Sequence, residues 1–251
     1  MLDTTPFSAW RRPWQMRWLL ALLLMVVVDV HAQQWGGSAG FGSDNIYRGR
    51  SLTIDQPAWL ADIHCILGND WTVGIGATEQ RTMWQSAAAQ ITLYINRRWQ
   101  LNDEWATSVG TVHYESPWDV YRDNLRYDEL NAAISYGAHW RASLAISPNS
   151  PGLLYGPSAH SDAAAWAELS YHQVLLDRLS ADIGIGYADL QQTVFHSYAY
   201  GSGGLNYGIG DGTFYLTRVW TSRPSRSYPQ NPYPAASRTS ARWTTSVVWS
   251  F

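Results

Sequence analysis

The feature that most constrains this chain is a two-residue alternation of apolar with small or polar side chains, repeated in about twelve segments. In one segment, Trp71, Val73 and Ile75 alternate with Thr72 and Gly74. Such alternation is typical of strands with one apolar face. Most segments are close to the roughly 9–11 residues that a tilted strand needs to cross a bilayer. The predicted strands are 36–47, 58–67, 70–80, 89–99, 103–114, 126–136, 139–147, 164–174, 179–190, 198–210, 213–221 and 240–251.

The connections between these segments alternate between two classes. The short ones, rich in turn residues, are 68–69, 100–102, 137–138, 175–178 and 211–212. The longer ones are 48–57, 81–88, 115–125, 148–163, 191–197 and 222–239. A soluble sandwich gives no reason for this sorting, whereas an outer-membrane barrel places short turns at the periplasm and long loops outside. We therefore predict an all-β fold, a closed antiparallel transmembrane up-and-down β-barrel of about 12 strands, with 10 strands as the alternative if one hairpin is misread.

Aromatic residues at the strand ends support a membrane barrel. Those at the short-turn ends predict one interfacial girdle, made of Trp71, Trp99, Trp105, Tyr136, Trp140, Tyr207, Phe214 and Phe251. Those at the long-loop ends predict a second, made of Tyr47, Trp59, Tyr114, Tyr127, Tyr187, Tyr198, Trp220 and Trp243. Trp and Tyr favour both membrane interfaces. The strand ending at Phe251 also resembles the C-terminal signal for the barrel-assembly machinery of Gram-negative bacteria, which we expect as a partner beside outer-membrane lipid.

Two predicted strands fit the alternation less well. In 164–174, Trp166 falls on the polar face. In 213–221, the frame that places Phe214 and Leu216 toward lipid also places Arg218 there.

The N-terminal segment predicts export. Arg11, Arg12 and Arg17 precede a short apolar run, and the small-residue pattern ending at Ala32 is typical of a signal-peptidase site. We expect residues 1–32 to be a cleaved secretory signal and 33–251 to form the barrel in the outer membrane of a Gram-negative bacterium. The twin-arginine route is the alternative to the ordinary secretory route.

Composition excludes several functional classes. Charged residues make up only 15% of the chain and the net charge is -3, so no basic field indicates a nucleic-acid partner. A single cysteine, Cys65, excludes an intramolecular disulfide framework. No metal-site motif is found, and we expect neither a metal nor a cofactor. Gly36–Gly40 fits G-x-S-x-G, but no helix follows, so we interpret it as strand and name no catalytic residue.

The polar face of the strands predicts the lining of one lumen. Its members are Asp62, His64, Tyr94, Asn96, Asn131, His139, Arg141, Glu168, His172, Asp182, Asn206 and Arg242. About twelve strands exceed the eight whose interior side chains alone can fill, so a narrow aqueous path can remain. Paired charges would instead form a plug. We favour a narrow porin-like channel for a small polar solute, lined by Arg141, Arg242, Asp62, Glu168 and Asp182.

The end of the first predicted strand resembles the opening motif of Gcw_chp, an uncharacterised proteobacterial family of outer-membrane barrels. The matching residues are Ser43, Asp44, Tyr47, Arg48, Gly49, Ser51, Pro57 and Ala58. The likeness covers about 20 residues. It implies a barrel without known catalytic residues or an assigned substrate. We expect Asp44 and Arg48 to pair near the outer mouth and to fix the first loop.

Two other functions are alternatives. An outer-membrane lipid-modifying enzyme would use His113 near the outer rim, although no serine is placed to pair with it. The adjacent His160, Ser161 and Asp162 are interpreted as an exposed polar loop, because consecutive residues rarely align as a triad. A structural or surface-recognition barrel would instead act through loops 148–163 and 222–239.

Overall fold

The computed structural model describes residues 34–68, 70–82, 85–119, 125–151, 161–194, 196–222 and 241–251. The proposed signal segment lies outside this range. The barrel strands are β1 (Gln34–Gly42), β4 (Ala58–Leu67), β5 (Trp71–Thr82), β6 (Gln85–Gln100), β7 (Trp105–Glu115), β8 (Tyr127–Tyr136), β9 (Trp140–Pro151), β10 (Ser161–Leu176), β11 (Leu179–Leu190), β12 (His196–Ile209), β13 (Gly212–Thr221) and β14 (Arg242–Ser250). A small hairpin, β2 (Ile46–Tyr47) and β3 (Arg50–Ser51), lies between β1 and β4, and a short helix, α1 (Gln191–Val194), follows β11.

These twelve strands form one closed antiparallel barrel in which each strand pairs with its neighbours in sequence. The first and last strands close it: Gly40 of β1 is opposite Val248 of β14 and Leu60 of β4. Closure leaves no open sheet edge. An open edge in the membrane hydrocarbon would leave backbone N–H and C=O groups without hydrogen bonds. The predicted fold class is confirmed with twelve strands, not ten.

The alternation separates an apolar outer face from a polar inner one. Large apolar side chains on the outer face are exposed, among them Leu144 at 62% and Ile183 at 58%. Their neighbours along the strands, Ser143 and Asp182, lie on the opposite face. An apolar band of this extent is the surface of a membrane-spanning barrel. In the described part of the chain, no helix has the length and apolar character needed to span a bilayer.

Two predicted connections differ from the structure. The first strand ends at Gly42, not 47, because residues 43–57 leave the barrel wall and turn into the lumen. The connection expected at 81–88 is largely absent, since β5 and β6 continue as a hairpin until Thr82 is opposite Gln85. The loops therefore do not all follow the predicted short and long classes.

The first predicted aromatic girdle faces outward as expected, but half of the second does not. The residues predicted at the short-turn ends lie on the outer face, where Trp105 and Tyr136 contact with ring centroids 4.7 Å apart. In the second girdle, Tyr114, Tyr127 and Tyr198 are buried on the inner face. Tyr47 belongs to the inward-folded segment, so these four do not face lipid.

Candidate functional site

The segment between β1 and β4, residues 43–57, folds into the barrel and is here called the first loop. Its hairpin reverses at Arg48 and Gly49, which both have positive φ, 50° and 77°. Two such residues are typical of the tight turns that match the twist of paired strands. A Cβ on Gly49 would lie 2.6 Å from both Tyr200 and Thr221, so the position also requires the absence of a side chain.

An ion pair attaches the turn of the first loop to the barrel wall. The Arg48 guanidinium donates to both Glu129 oxygens, at 2.7 and 2.9 Å. The side chains are 10% and 1% exposed. Arg48 Cζ also lies 4.1 Å from the centroid of the Trp166 ring. Tyr198 Oη donates a hydrogen bond to the backbone carbonyl oxygen of Arg48 at 3.1 Å. A buried, bidentate arginine with an aromatic neighbour holds one geometry.

The predicted pair of Asp44 and Arg48 is wrong. Asp44 accepts hydrogen bonds from Ser51 Oγ at 2.6 Å and Thr53 Oγ1 at 2.9 Å, and lies 3.5 Å from Arg242. These contacts stabilise the base of the first loop, while Arg48 reaches the far wall. Burial raises the pKa of Asp44 above its ordinary value, although the two hydroxyl donors act in the opposite direction.

Among the described residues, two cavities of about 330 and 520 Å³ lie in the lumen. Both volumes fall in the range of small-molecule sites, about 300–1,000 Å³. Arg48, Arg141, Ser143 and Glu168 line both cavities, and we call these four residues the junction. The first loop therefore divides the lumen without filling it.

Two further polar clusters lie on the inner face, and each joins predicted lining residues. On β4, Asp62 contacts His64 Nδ1 at 2.8 Å and accepts a hydrogen bond from Tyr94 Oη at 2.8 Å. On the opposite wall, Asp182 contacts His172 Nδ1 at 2.6 Å and also accepts from Asn206. Each carboxylate is compensated by neighbouring donors, as buried charges usually are.

The remaining predicted lining residues occupy different levels of the barrel. Glu168 accepts a hydrogen bond from Tyr200 Oη at the junction. Arg242 lies at the outer end of β14 and binds Asp55 of the first loop. His139 lies in the short turn before β9, where its ring stacks on Tyr171 at a centroid distance of 5.8 Å.

Sequence reasoning missed Glu129, the partner that fixes the first loop. The sequence did indicate its position, because Glu129 is two residues from Asn131 on β8 and therefore lies on the same inward face. Trp166, which broke the expected alternation, lies on the inner face beneath Arg48. Arg218 does face outward, and its guanidinium lies 5.8 Å from the Trp243 ring centroid.

His113 lies on the outer face near the long-loop ends. Its Nδ1 is 2.7 Å from Asp128 and its Nε2 is 3.4 Å from Glu115, which also binds Arg126. Both ring nitrogens therefore face carboxylates, and among the hydrogen bonds of the described residues none joins His113 to a hydroxyl. Of the three residues interpreted as an exposed polar loop, His160 lies outside the described residues, and Ser161 and Asp162 lie in β10 instead of a loop.

The stretch Gly36–Gly40 is continuous strand, as predicted, and its register with β4 is uninterrupted. Within the described ranges, no group of three His, Cys, Asp or Glu residues is placed to hold a metal ion.

The fold and the lumen define a class: a twelve-stranded membrane barrel whose first loop narrows a polar interior. No protein-family model matches the chain, and no curated protein matches its sequence. Solved structures match in fold. The NanC porin, in a rhombohedral crystal form, is similar with a TM-score of 0.56 at 12% identity, over 87% of this chain and 99% of that one. The KdgM porin is similar with a TM-score of 0.51 at 10% identity, over 86% of this chain and 99% of that one.

Proposed function

We propose that the protein is a narrow porin-like channel for small polar solutes. The observation that carries the proposal is the pair of lumen cavities that meet at the junction, where Arg48, Arg141 and Glu168 line both. A solute moving through the lumen would pass from one cavity to the other beside Arg141 and Glu168. The similarity in fold to the NanC and KdgM porins supports a channel rather than an enzyme.

In this proposal the first loop acts as a constriction, not as a complete plug. A plug would compensate every interior charge and leave no space of molecular size. Arg48 and Glu129 do compensate each other, but the cavities remain on either side of the first loop. The width of the path is therefore set by the position of the first loop.

Conductance of the purified protein in planar bilayers tests the channel. We expect small, stable conductance steps, and no steps from detergent buffer without protein. Protein that inserts as a folded barrel but gives no conductance at any applied voltage would contradict the proposal.

The outer membrane of a Gram-negative bacterium is the proposed location, reached by the secretory route. The exposed apolar outer face fits a lipid environment. Recognition of the C-terminal strand by the barrel-assembly machinery is also part of the proposal. Phe251 is 78% exposed, and its backbone pairs with Gly37 through hydrogen bonds of 2.8 and 3.0 Å.

Membership of the Gcw_chp-type family is likewise proposed. Its support is that the motif residues form one structural unit. Asp44 and Ser51 bond to each other at the base of the first loop, and Tyr47, Arg48 and Gly49 form its tip. Replacing the motif residues and measuring whether the barrel still assembles with the first loop inside tests whether these residues act together to hold the first loop.

A further inference from the structure

The charges at the junction are not all compensated. Arg48 is neutralised by its bidentate bond to Glu129. Arg141 is not, because within the described ranges its guanidinium has no hydrogen bond, ion pair or aromatic contact. It nevertheless lines both cavities and is exposed to the lumen. The junction therefore presents one free guanidinium.

Glu168 presents the opposite charge in the same place. Across strands β9 and β10 it is opposite Ser143, one inward position from Arg141. Among the described residues, the only hydrogen bond of its carboxylate is the one that Tyr200 Oη donates to Oε1. Glu168 and Arg141 do not approach within salt-bridge distance of each other, so each charge is available to a solute.

Packing holds Glu168 in position through Tyr200. A Cβ on Gly186 would lie 2.3 Å from the Tyr200 ring, and a Cβ on Gly49 would lie 2.6 Å from Tyr200 Cβ. Tyr200 is thus enclosed between the backbone at Gly186, which has no side chain, and the tip of the first loop. The first loop consequently fixes the carboxylate as well as narrowing the path.

We propose that the junction is a binding site for small zwitterions, solutes that carry a carboxylate and an ammonium group a few ångströms apart, such as an α-amino acid. This inference rests on the proposed channel function. The carboxylate of the solute would accept from Arg141 in the fork geometry that guanidinium favours. Its ammonium group would donate to Glu168.

Electrostatics favours a zwitterion over a singly charged solute at this site. An anion is attracted by Arg141 but repelled by Glu168, and a cation is attracted by Glu168 but repelled by Arg141. A zwitterion is attracted by both. Each such charge contact contributes about fivefold in occupancy, the factor for two unit charges about 4 Å apart in water.

Uptake into proteoliposomes tests the inference with four labelled three-carbon solutes: alanine, lactate, propylamine and glycerol. Rates are corrected with protein-free vesicles and normalised to glycerol, which is uncharged. We expect alanine to enter about fivefold faster than lactate or propylamine. Arg141→Gln should lower the alanine rate about fivefold and raise that of propylamine, and Glu168→Gln should lower alanine and raise lactate.

Arg98→Gln is the matched control. Arg98 is also an inward arginine, but it bonds to Gln100 near the short-turn end and lines neither cavity. This variant should leave the order of the four solutes unchanged. Glutamine at 168 can still accept from Tyr200, so that variant removes charge and not the hydrogen bond.

The outcomes separate the two proposals. Uptake of glycerol without a preference for alanine, or a preference unchanged in Arg141→Gln and Glu168→Gln, would overturn the zwitterion site and leave the channel standing. Absence of glycerol uptake in folded wild-type protein would overturn the channel and with it the site.

Discussion

Removing the charge of Arg48 should release the first loop and enlarge the pore. Arg48→Met keeps a long side chain over Trp166 but leaves Glu129, whose side chain is 1% exposed, without its partner. Breaking a buried ion pair in this way costs about 3–5 kcal/mol. At about 1.4 kcal/mol per factor of ten, the docked first loop loses about 10²- to 4 × 10³-fold in its equilibrium against the undocked one.

Single-channel recording measures the consequence. We expect Arg48→Met to show larger or noisier conductance than the wild type, because the first loop then leaves the lumen for part of the time. The hydroxyl of Tyr47 stays near Glu129, at 3.3 Å, and offsets only part of the loss. Gel migration before and after heating verifies that the barrel itself is folded.

The double variant Arg48→Met with Glu129→Leu is the matched control. Replacing both members of a buried pair by apolar residues is often neutral or stabilising. The double variant should therefore keep the first loop docked and conduct like the wild type. Folded Arg48→Met protein with wild-type conductance and noise would refute the assignment of this pair as the attachment of the constriction.

Three further changes probe the turn, the closing seam and the outer face. Gly49→Ala should weaken docking of the first loop by about 1–3 kcal/mol, since φ is 77° and the added Cβ contacts Tyr200; raised conductance checks this, and an unchanged channel contradicts it. Gly37→Val should impair closure, because a Cβ there would lie 2.7 Å from the Phe251 ring; the folded fraction on unheated gels reports it, and normal assembly would argue against this seam. Ile185→Lys should destabilise the barrel in lipid by about 2–4 kcal/mol in urea titrations, and an effect no larger than that of Ser170→Lys on the inner face would be inconsistent with a lipid-facing position.

Local periodicity was sufficient to predict the barrel wall. The bounds of β4 and β11 agree with the predicted segments 58–67 and 179–190, because side-chain direction in a strand depends only on parity. The same parity places Asp62, Asp182 and Glu168 on one face. Closure followed from the requirement that every strand edge in a membrane be paired.

Local periodicity could not predict the first loop. Ser43, Asp44 and Asn45 are consecutive turn-favouring polar residues that interrupt the alternation of β1, but they give no sign that the chain then turns into the lumen. The bond that holds the first loop joins residues 81 positions apart, Arg48 and Glu129. Its contribution depends on the closed barrel, which brings β8 opposite the hairpin.

The aromatic girdles were predicted from position at the strand ends alone. Whether each residue has the inward or the outward parity of its strand was not taken into account. Tyr114 shares the inward parity of Val112, and Tyr127 that of Glu129, so both face the lumen and stack at a centroid distance of 4.3 Å. An aromatic residue at a strand end belongs to the membrane interface only when it also faces outward. Trp166 illustrates the converse, because a large ring on the polar face marked a contact with an interior cation.

Cysteine accessibility along β8 tests the central claim, a wet interior enclosed by a lipid-facing wall, most directly. In a Cys65→Ala background, the positions Leu130, Asn131, Ile134 and Ser135 are replaced singly by cysteine, and proteoliposomes are treated with a water-soluble maleimide. The structure predicts labelling at Asn131 and Ser135 and protection at Leu130 and Ile134, whose side chains face outward. Uniform labelling, or labelling of the two outward positions alone, would contradict a barrel with this interior.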